Sequence, residues 1–78
     1  MSISSSIPTH LLPGQKLRHY KGEIYTVVGH CMIEATLQPG ILYRAERGDK
    51  SITWLRPMAE FDQEVITESG TVKRFVPV

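Results

Sequence analysis

The sequence has almost none of the features that mark secreted or membrane-bound proteins. It contains one cysteine, Cys31, which excludes an internal disulfide and argues against a disulfide-stabilised secreted domain. The longest apolar run of the opening segment is the pair Leu11-Leu12, whereas a membrane helix needs roughly 20 apolar residues. We therefore expect a cytoplasmic protein with no membrane partner.

Net charge is also nearly absent. The formal charge of the 78 residues is +1, so no strong field attracts polyanions or anionic membranes. Only His30 and Cys31 are adjacent among the metal-ligand types, and a strand would point them to opposite faces. Gly48-Asp49-Lys50 lacks the glycine run of a phosphate-binding loop. No metal site, cofactor or nucleotide hydrolysis is expected.

Short strands separated by tight turns are predicted for most of the chain. Residues 1–13 are rich in serine and are expected to be a flexible lead-in, and residues 14–78 to form one small domain. The β-branched and aromatic segments predict five or six antiparallel strands, a bulge at Gly29, a strand end at Pro57 and one helical or 3-10 turn over 58–61. Turns are predicted at Lys21-Gly22, Gly48-Asp49-Lys50 and Glu68-Ser69-Gly70. The predicted fold is all-β, a small SH3-like barrel.

Four segments of the chain form a recognisable series: RHYKGEIYTVVG, LYRAERGD, WLRPMAEFDQEV and VKRF. The series, over about residues 14–76, resembles a mostly bacterial family known as domain of unknown function 1653. The pattern of that family includes H-Y-K-G, H-S-E-T, V-Y-R, W-x-R-P and a final P-R-F. The resemblance implies a small β-rich domain and implies no activity.

The chain departs from the family pattern in two places. Ile33-Glu34-Ala35-Thr36 stands where the family has H-S-E-T, and Lys73-Arg74-Phe75 where it has P-R-F. If the family's histidine and glutamate carry chemistry, this chain has lost it, or Glu34 and nearby His30 supply something different. A small enzyme using this segment is therefore one alternative, although the sequence favours a non-catalytic protein and indicates no catalytic residue.

One predicted hairpin contains four candidate ligand-binding residues: Tyr43, Arg44, Trp54 and Arg56. Guanidinium groups bind anionic or carbonyl-bearing ligands, and aromatic rings can cover such ligands. The four residues therefore predict a non-catalytic binding module for an unknown small ligand or protein partner. The structural alternative places the aromatic rings in the core and pairs the arginines with Glu46 or Glu64.

The first predicted hairpin interleaves cations with an aromatic ring: Lys16, Arg18, Tyr20 and Lys21. Phosphate neutralisation and base stacking are used in binding single-stranded nucleic acid, so such binding is a second alternative, which Lys73 and Arg74 could extend. Successive side chains of a strand point to opposite faces, so only some of these residues can form one patch, and the low net charge favours an ordinary solvated face. A nucleic-acid partner is therefore not favoured, whereas a homodimer through exposed sheet edges is plausible.

Overall fold

The computed structural model describes residues 7–78, which form β-structure apart from two 3-10 turns, Thr9–Leu11 and Met58–Glu60. The strands are β1 (Lys16–His19), β2 (Ile24–Ile33), β3 (Gln38–Ala45), β4 (Trp54–Pro57), β5 (Glu64–Thr67), β6 (Gly70–Lys73) and β7 (Phe75–Pro77). The predicted all-β class is confirmed. Neither helical turn in this part of the chain has the length or apolar character needed to cross a membrane.

Five strands form one antiparallel sheet in the order β4-β3-β2-β1-β7, and β5 pairs with β6 in a separate hairpin. Two of the predicted turns depend on glycine, since Gly22 has φ 105° and Gly70 has φ 120°. Only glycine enters this backbone region without a steric penalty, so these turns are confirmed together with their cause. The β3–β4 connection spans residues 46–53 and is longer than the predicted three-residue loop.

The five-stranded sheet is open, so the predicted SH3-like barrel is not confirmed. β4 and β7 are the two edge strands, and no ladder among the described residues joins them. They contain four and three residues, and each includes a proline, Pro57 or Pro77, that cannot donate a backbone hydrogen bond. Edges this short leave too few backbone groups to close a barrel.

Gly29 lies at the β-bulge predicted for it. The β2–β3 register shifts between Val27 and Gly29, which leaves Val28 as the extra residue. The shift changes which alternate residues of β2 point inward: Tyr25 and Val27 before the bulge, His30 after it. One long strand can therefore supply both the ring-rich end of the domain and the contact with the N-terminal segment.

The core lies on one face of the five-stranded sheet. Its buried members are Ile7, Leu11, Leu17, Val27, Ile41, Tyr43, Phe61 and Phe75. The sheet supplies five of them, whereas Phe61 follows the second 3-10 turn and Ile7 and Leu11 come from the N-terminal segment. Phe61 and Leu11 are 1% and 0% exposed, so both segments act as covers for the inner face.

The N-terminal segment, expected to be a flexible lead-in over residues 1–13, is described only from residue 7 onward. Residues 1–6 lie outside the described residues, but 7–13 pack on the sheet, with Leu11 fully buried. The His30 ring donates from Nε2 to the Leu11 carbonyl at 2.9 Å and fixes the turn to β2. Backbone hydrogen bonds also order the segment, from the Leu11 N–H to the Pro8 carbonyl at 3.0 Å and from the Gly14 N–H to the Val27 carbonyl at 2.8 Å.

Candidate functional site

The four predicted ligand-binding residues do not form one cluster. In the β3–β4 ladder Tyr43 lies opposite Trp54, and Arg56 is two residues further along β4, so these three share the inner face. Arg44 lies on the outer face, where its Nε donates to the Thr53 hydroxyl at 2.9 Å. Tyr43 is only 7% exposed. It therefore supports the site from within, and Arg44 is separated from the others.

Tyr43 belongs to a ring cluster on the inner face: His19, Tyr25, Tyr43, Phe61 and Phe75. Tyr25 and Tyr43 meet edge to face with ring centroids 5.3 Å apart, and His19 meets Phe75 in the same way at 5.0 Å. Phe61 stacks on Phe75 at 4.7 Å. Each such pair contributes about 0.5–1.5 kcal/mol beyond its burial. The rings therefore fix one another's positions and make a rigid wall.

Two arginines with unsatisfied donors are coupled to this ring cluster. The Arg56 Nη1 donates to the Glu60 carboxylate at 2.9 Å, but its Nε is buried without a hydrogen-bond partner among the described residues. Arg74, between β6 and β7, also has a buried Nε without such a partner, and no carboxylate in residues 7–78 forms an ion pair with it. Since buried polar groups are almost always bonded, each of these two donors calls for an explanation.

His19 is electrostatically coupled to both arginines. Its Nδ1 accepts a hydrogen bond from the Lys21 backbone N–H at 3.2 Å, so the neutral ring carries its proton on Nε2. Burial lowers the pKa of His19 below its ordinary value, and the positive charges of Arg74, Lys21 and Arg56 lower it further. The imidazole is therefore a neutral donor at pH 7, surrounded by cations.

The Arg56 guanidinium is held in its charged state by its neighbours. Burial alone would lower its pKa, but the Tyr43 hydroxyl and the Glu60 carboxylate raise the pKa above its ordinary value. Glu60 occupies Nη1 and the Tyr43 hydroxyl also lies close to the guanidinium, while Nε, on the edge that it forms with Nη2, has no hydrogen-bond partner among the described residues. This edge matches the two oxygens of a carboxylate or phosphate. We call His19, Arg56 and Arg74 the cationic pocket.

A groove of about 340 Å³ lies beside the ring cluster. Its lining residues are Glu23, Tyr25, Ala45, Arg47, Gly48, Asp49, Ile52 and Trp54, and we call it the Trp54 groove. Trp54 is 48% exposed, an unusual degree for so large an apolar ring. Tyr25 belongs to both the groove and the ring cluster. Trp54 therefore lines a groove, and the other lining residues differ from the three that the sequence grouped with it.

The cations of the first hairpin are only partly available. Lys16 pairs with Glu46 at 3.0 Å, and the Lys21 ammonium lies 5.8 Å from the centroid of the Tyr20 ring. Lys16 and Arg18 share the face opposite the inward-pointing Leu17, and Arg18 is exposed. The structure thus brings Tyr20 and Lys21 together but does not gather the four predicted nucleic-acid contacts into one platform.

His30 and Glu34 are not joined as an acid–base pair. His30 uses Nε2 to hold the Leu11 carbonyl, while Glu34 is exposed in the turn between β2 and β3. No hydrogen bond or ion pair among the described residues connects the two side chains. Within residues 7–78, no three histidine, cysteine, aspartate or glutamate side chains come together as metal ligands.

Sequence reasoning missed most of the cationic pocket. His19, Tyr25, Arg74 and Phe75 were not assigned to the ligand site, although all four fall within the segments that carry the family resemblance. All four of these segments therefore contribute rings to one cluster. Their shared membership of the family segments was the available sequence signal, but their closeness in space depends on the pairing of β7 with β1.

Comparisons with known proteins agree with the observed fold. A family model described as a protein of unknown function, DUF1653, matches residues 15–77. Among solved structures, the chain is similar to a crystal structure of a DUF1653-family protein from Bordetella bronchiseptica. The two share 26% sequence identity and a TM-score of 0.73, over 86% of this chain and 86% of that chain. No curated protein matches the sequence.

Proposed function

This chain belongs to the DUF1653 family of proteins of unknown function, and we propose that it is a non-catalytic binding module for a ligand bearing an oxyanion. The ligand group is a carboxylate or a phosphate held in the cationic pocket. One observation carries the proposal: the Nε atoms of Arg56 and Arg74 are buried and lack an acceptor among the described residues. An oxyanion would satisfy both donors.

The chemistry of the pocket suits such a group. Arg56 offers its Nε–Nη2 edge, Arg74 a guanidinium that forms no ion pair in the described residues, and His19 its Nε2–H. Hydrogen bonds to charged groups contribute about 1.5–3 kcal/mol each, and the neighbouring rings limit competition from water. The neutral state of His19 avoids a third buried positive charge.

The proposal is tested by titrating isotope-labelled protein with sodium acetate and sodium phosphate at constant ionic strength, with NMR as the readout. We expect saturable shifts at residues 19–21, 56 and 74–75. Arg74→Gln should weaken binding by about tenfold or more, because one charge-assisted hydrogen bond is lost. Arg44→Gln is the matched control, since Arg44 lies on the outer face, and it should leave the affinity unchanged.

Two results would overturn this proposal. The first is a shift pattern that rises linearly with anion concentration in both variants, as expected of unspecific screening. The second is an effect of Arg44→Gln as large as that of Arg74→Gln. Shifts on Lys16 and Arg18 with a short RNA, fading as salt rises, would instead favour the nucleic-acid alternative.

The proposal extends to the cellular location and to the oligomeric state. Cys31 is a half-buried free thiol, which fits a reducing compartment, and we retain the cytoplasm as the proposed location. A homodimer through the open edges β4 and β7 also remains a proposal. Analytical ultracentrifugation over a wide concentration range tests it, and a constant monomer mass would reject it.

A further inference from the structure

The Trp54 groove differs in charge from the cationic pocket. Two carboxylates, Glu23 and Asp49, line it against one guanidinium, that of Arg47. Hydrogen bonds from the Ser51 hydroxyl and backbone N–H lower the pKa of Asp49, so its negative charge is secure at neutral pH. The groove is therefore net negative, although the neighbouring pocket is positive.

We propose that the Trp54 groove binds the cationic side chain of a lysine or arginine in an extended segment of a protein partner. This second subsite is independent of the oxyanion pocket and does not rest on it. An arginine or lysine placed over Trp54 would gain from the negative face of the indole, which is the best aromatic partner for a cation. Glu23 and Asp49 would balance its charge.

The dimensions and lining of the groove fit this occupant. Its volume of about 340 Å³ is at the lower end of ligand sites, which accommodates one long side chain with its adjoining backbone. Ala45 and Ile52 offer apolar surface to the methylene stem of a lysine or arginine, while the charged head remains near the carboxylates. A neutral apolar side chain would use only the first of these contacts.

The rigidity of two walls supports preorganised binding. Tyr25 packs edge to face against Tyr43, and its neighbour Glu23 accepts a backbone hydrogen bond from His19 at 2.7 Å. The backbone of Trp54 is held by its pairing with Tyr43 in the β3–β4 ladder. The backbone of both walls is therefore fixed before a ligand enters, which lowers the ordering cost of binding.

Trp54 is the only tryptophan of the chain, so its fluorescence reports occupancy of the groove directly. The probes are three capped tripeptides with glycine on either side of arginine, norleucine or glutamate. We expect saturable changes in Trp54 emission with the arginine tripeptide. The norleucine tripeptide should bind at least about fivefold more weakly, because it lacks the cation–π and charge contributions. The glutamate tripeptide should leave the emission unchanged.

Charge variants give the decisive sign test. Glu23→Gln should weaken binding of the arginine tripeptide, and Arg47→Gln should strengthen it, each by about two- to fivefold for partly screened charges. Arg44→Gln on the outer face should do neither. Equal binding of the arginine and norleucine tripeptides, or reversed signs for the two variants, would overturn the proposal.

The same measurements separate this inference from the proposed oxyanion function. Arg74→Gln should abolish much of the phosphate response and leave the response to the arginine tripeptide intact. Phosphate alone should not displace the tripeptide from Trp54. If the phosphate response is absent but the tripeptide binds with the expected signs, the groove stands and the oxyanion pocket fails. If Trp54 is silent to all three tripeptides, the groove proposal fails regardless of the anion result.

Discussion

Replacing Gly40 by alanine tests how β4, which carries Trp54 and Arg56, is held against the sheet. A Cβ atom at Gly40 would lie 2.5 Å from Leu55 Cδ1 and 2.9 Å from Cys31 Sγ. Both distances are well inside the roughly 3.5–4.0 Å of an ordinary carbon contact. Leu55 is half exposed and can rotate outward, but Cys31 is half-buried on the neighbouring strand β2 and relieves the clash less easily.

We expect Gly40→Ala to lower the free energy of unfolding by about 1–3 kcal/mol, the usual cost of overpacking. For a domain of this size, each kcal/mol corresponds to a fall of about 4–8 °C in Tm. Leu55 lies between Trp54 and Arg56 in β4, so its displacement should also weaken binding at both proposed subsites. Urea unfolding followed by circular dichroism measures the stability, and the titrations described above measure the binding.

Gly29→Ala is the matched control for this substitution. Gly29 is in β2 on the same outer face, but a Cβ there would be 3.7 Å from Leu42 Cδ1, an ordinary contact. We expect a change within about 1 kcal/mol, of either sign, because a less flexible unfolded chain offsets any small crowding. Equal stabilities for the Gly40→Ala and Gly29→Ala proteins would refute the packing argument.

Three further substitutions test other parts of the structure. His19 has a folded-state pKa below its unfolded value, so the unfolded chain binds more protons and stability falls as pH drops through about 6.5. His19→Gln should reduce this loss, measured by urea unfolding at about pH 7.5 and 5.5; an unchanged slope contradicts the assignment. Phe61→Ala should lower the free energy of unfolding by about 3–5 kcal/mol, since Phe61 is 1% exposed, and should erase most cooperative melting. A decrease below about 1 kcal/mol would be inconsistent with its burial. His30→Phe removes the donor to the Leu11 carbonyl, so it should lower the free energy of unfolding by about 1 kcal/mol and speed amide hydrogen exchange at Leu11. Unchanged exchange would argue against this contact.

Features that depend on one residue's own backbone were predictable from the sequence. The turns at Gly22 and Gly70 and the end of β4 at Pro57 each follow from what glycine or proline permits. The short turn over Met58–Glu60 follows in the same way from the proline before it. These local constraints act whatever the rest of the fold does.

Features that depend on contacts distant in sequence were not predictable. β7 has three residues, too few for a periodic pattern, and it exists because it pairs with β1. The open sheet and the packing of Ile7 and Leu11 have the same origin. Short apolar segments become ordered only when another element covers them.

The candidate site also combines features that follow from local sequence with features that depend on distant contacts. Strand alternation puts Trp54 and Arg56 on one face of β4, but their relation to Tyr43 and Arg44 depends on the register across the 46–53 loop. Arg74 follows a lysine at a strand end and resembles a solvated cation in the sequence. Its buried Nε and its coupling to His19 arise only when β7 returns to β1.

The most direct test of the oxyanion proposal observes the arginine Nε–H groups themselves. In isotope-labelled protein, the Nε–H signals of Arg56, Arg74 and Arg44 are followed by NMR as phosphate and then acetate are added at constant ionic strength. The Arg56 and Arg74 signals should shift saturably toward the positions of hydrogen-bonded donors, whereas Arg44, already bonded to Thr53, should not move. Unmoved Arg56 and Arg74 signals at saturating anion, or an equal shift of Arg44, would contradict an oxyanion site between the two arginines.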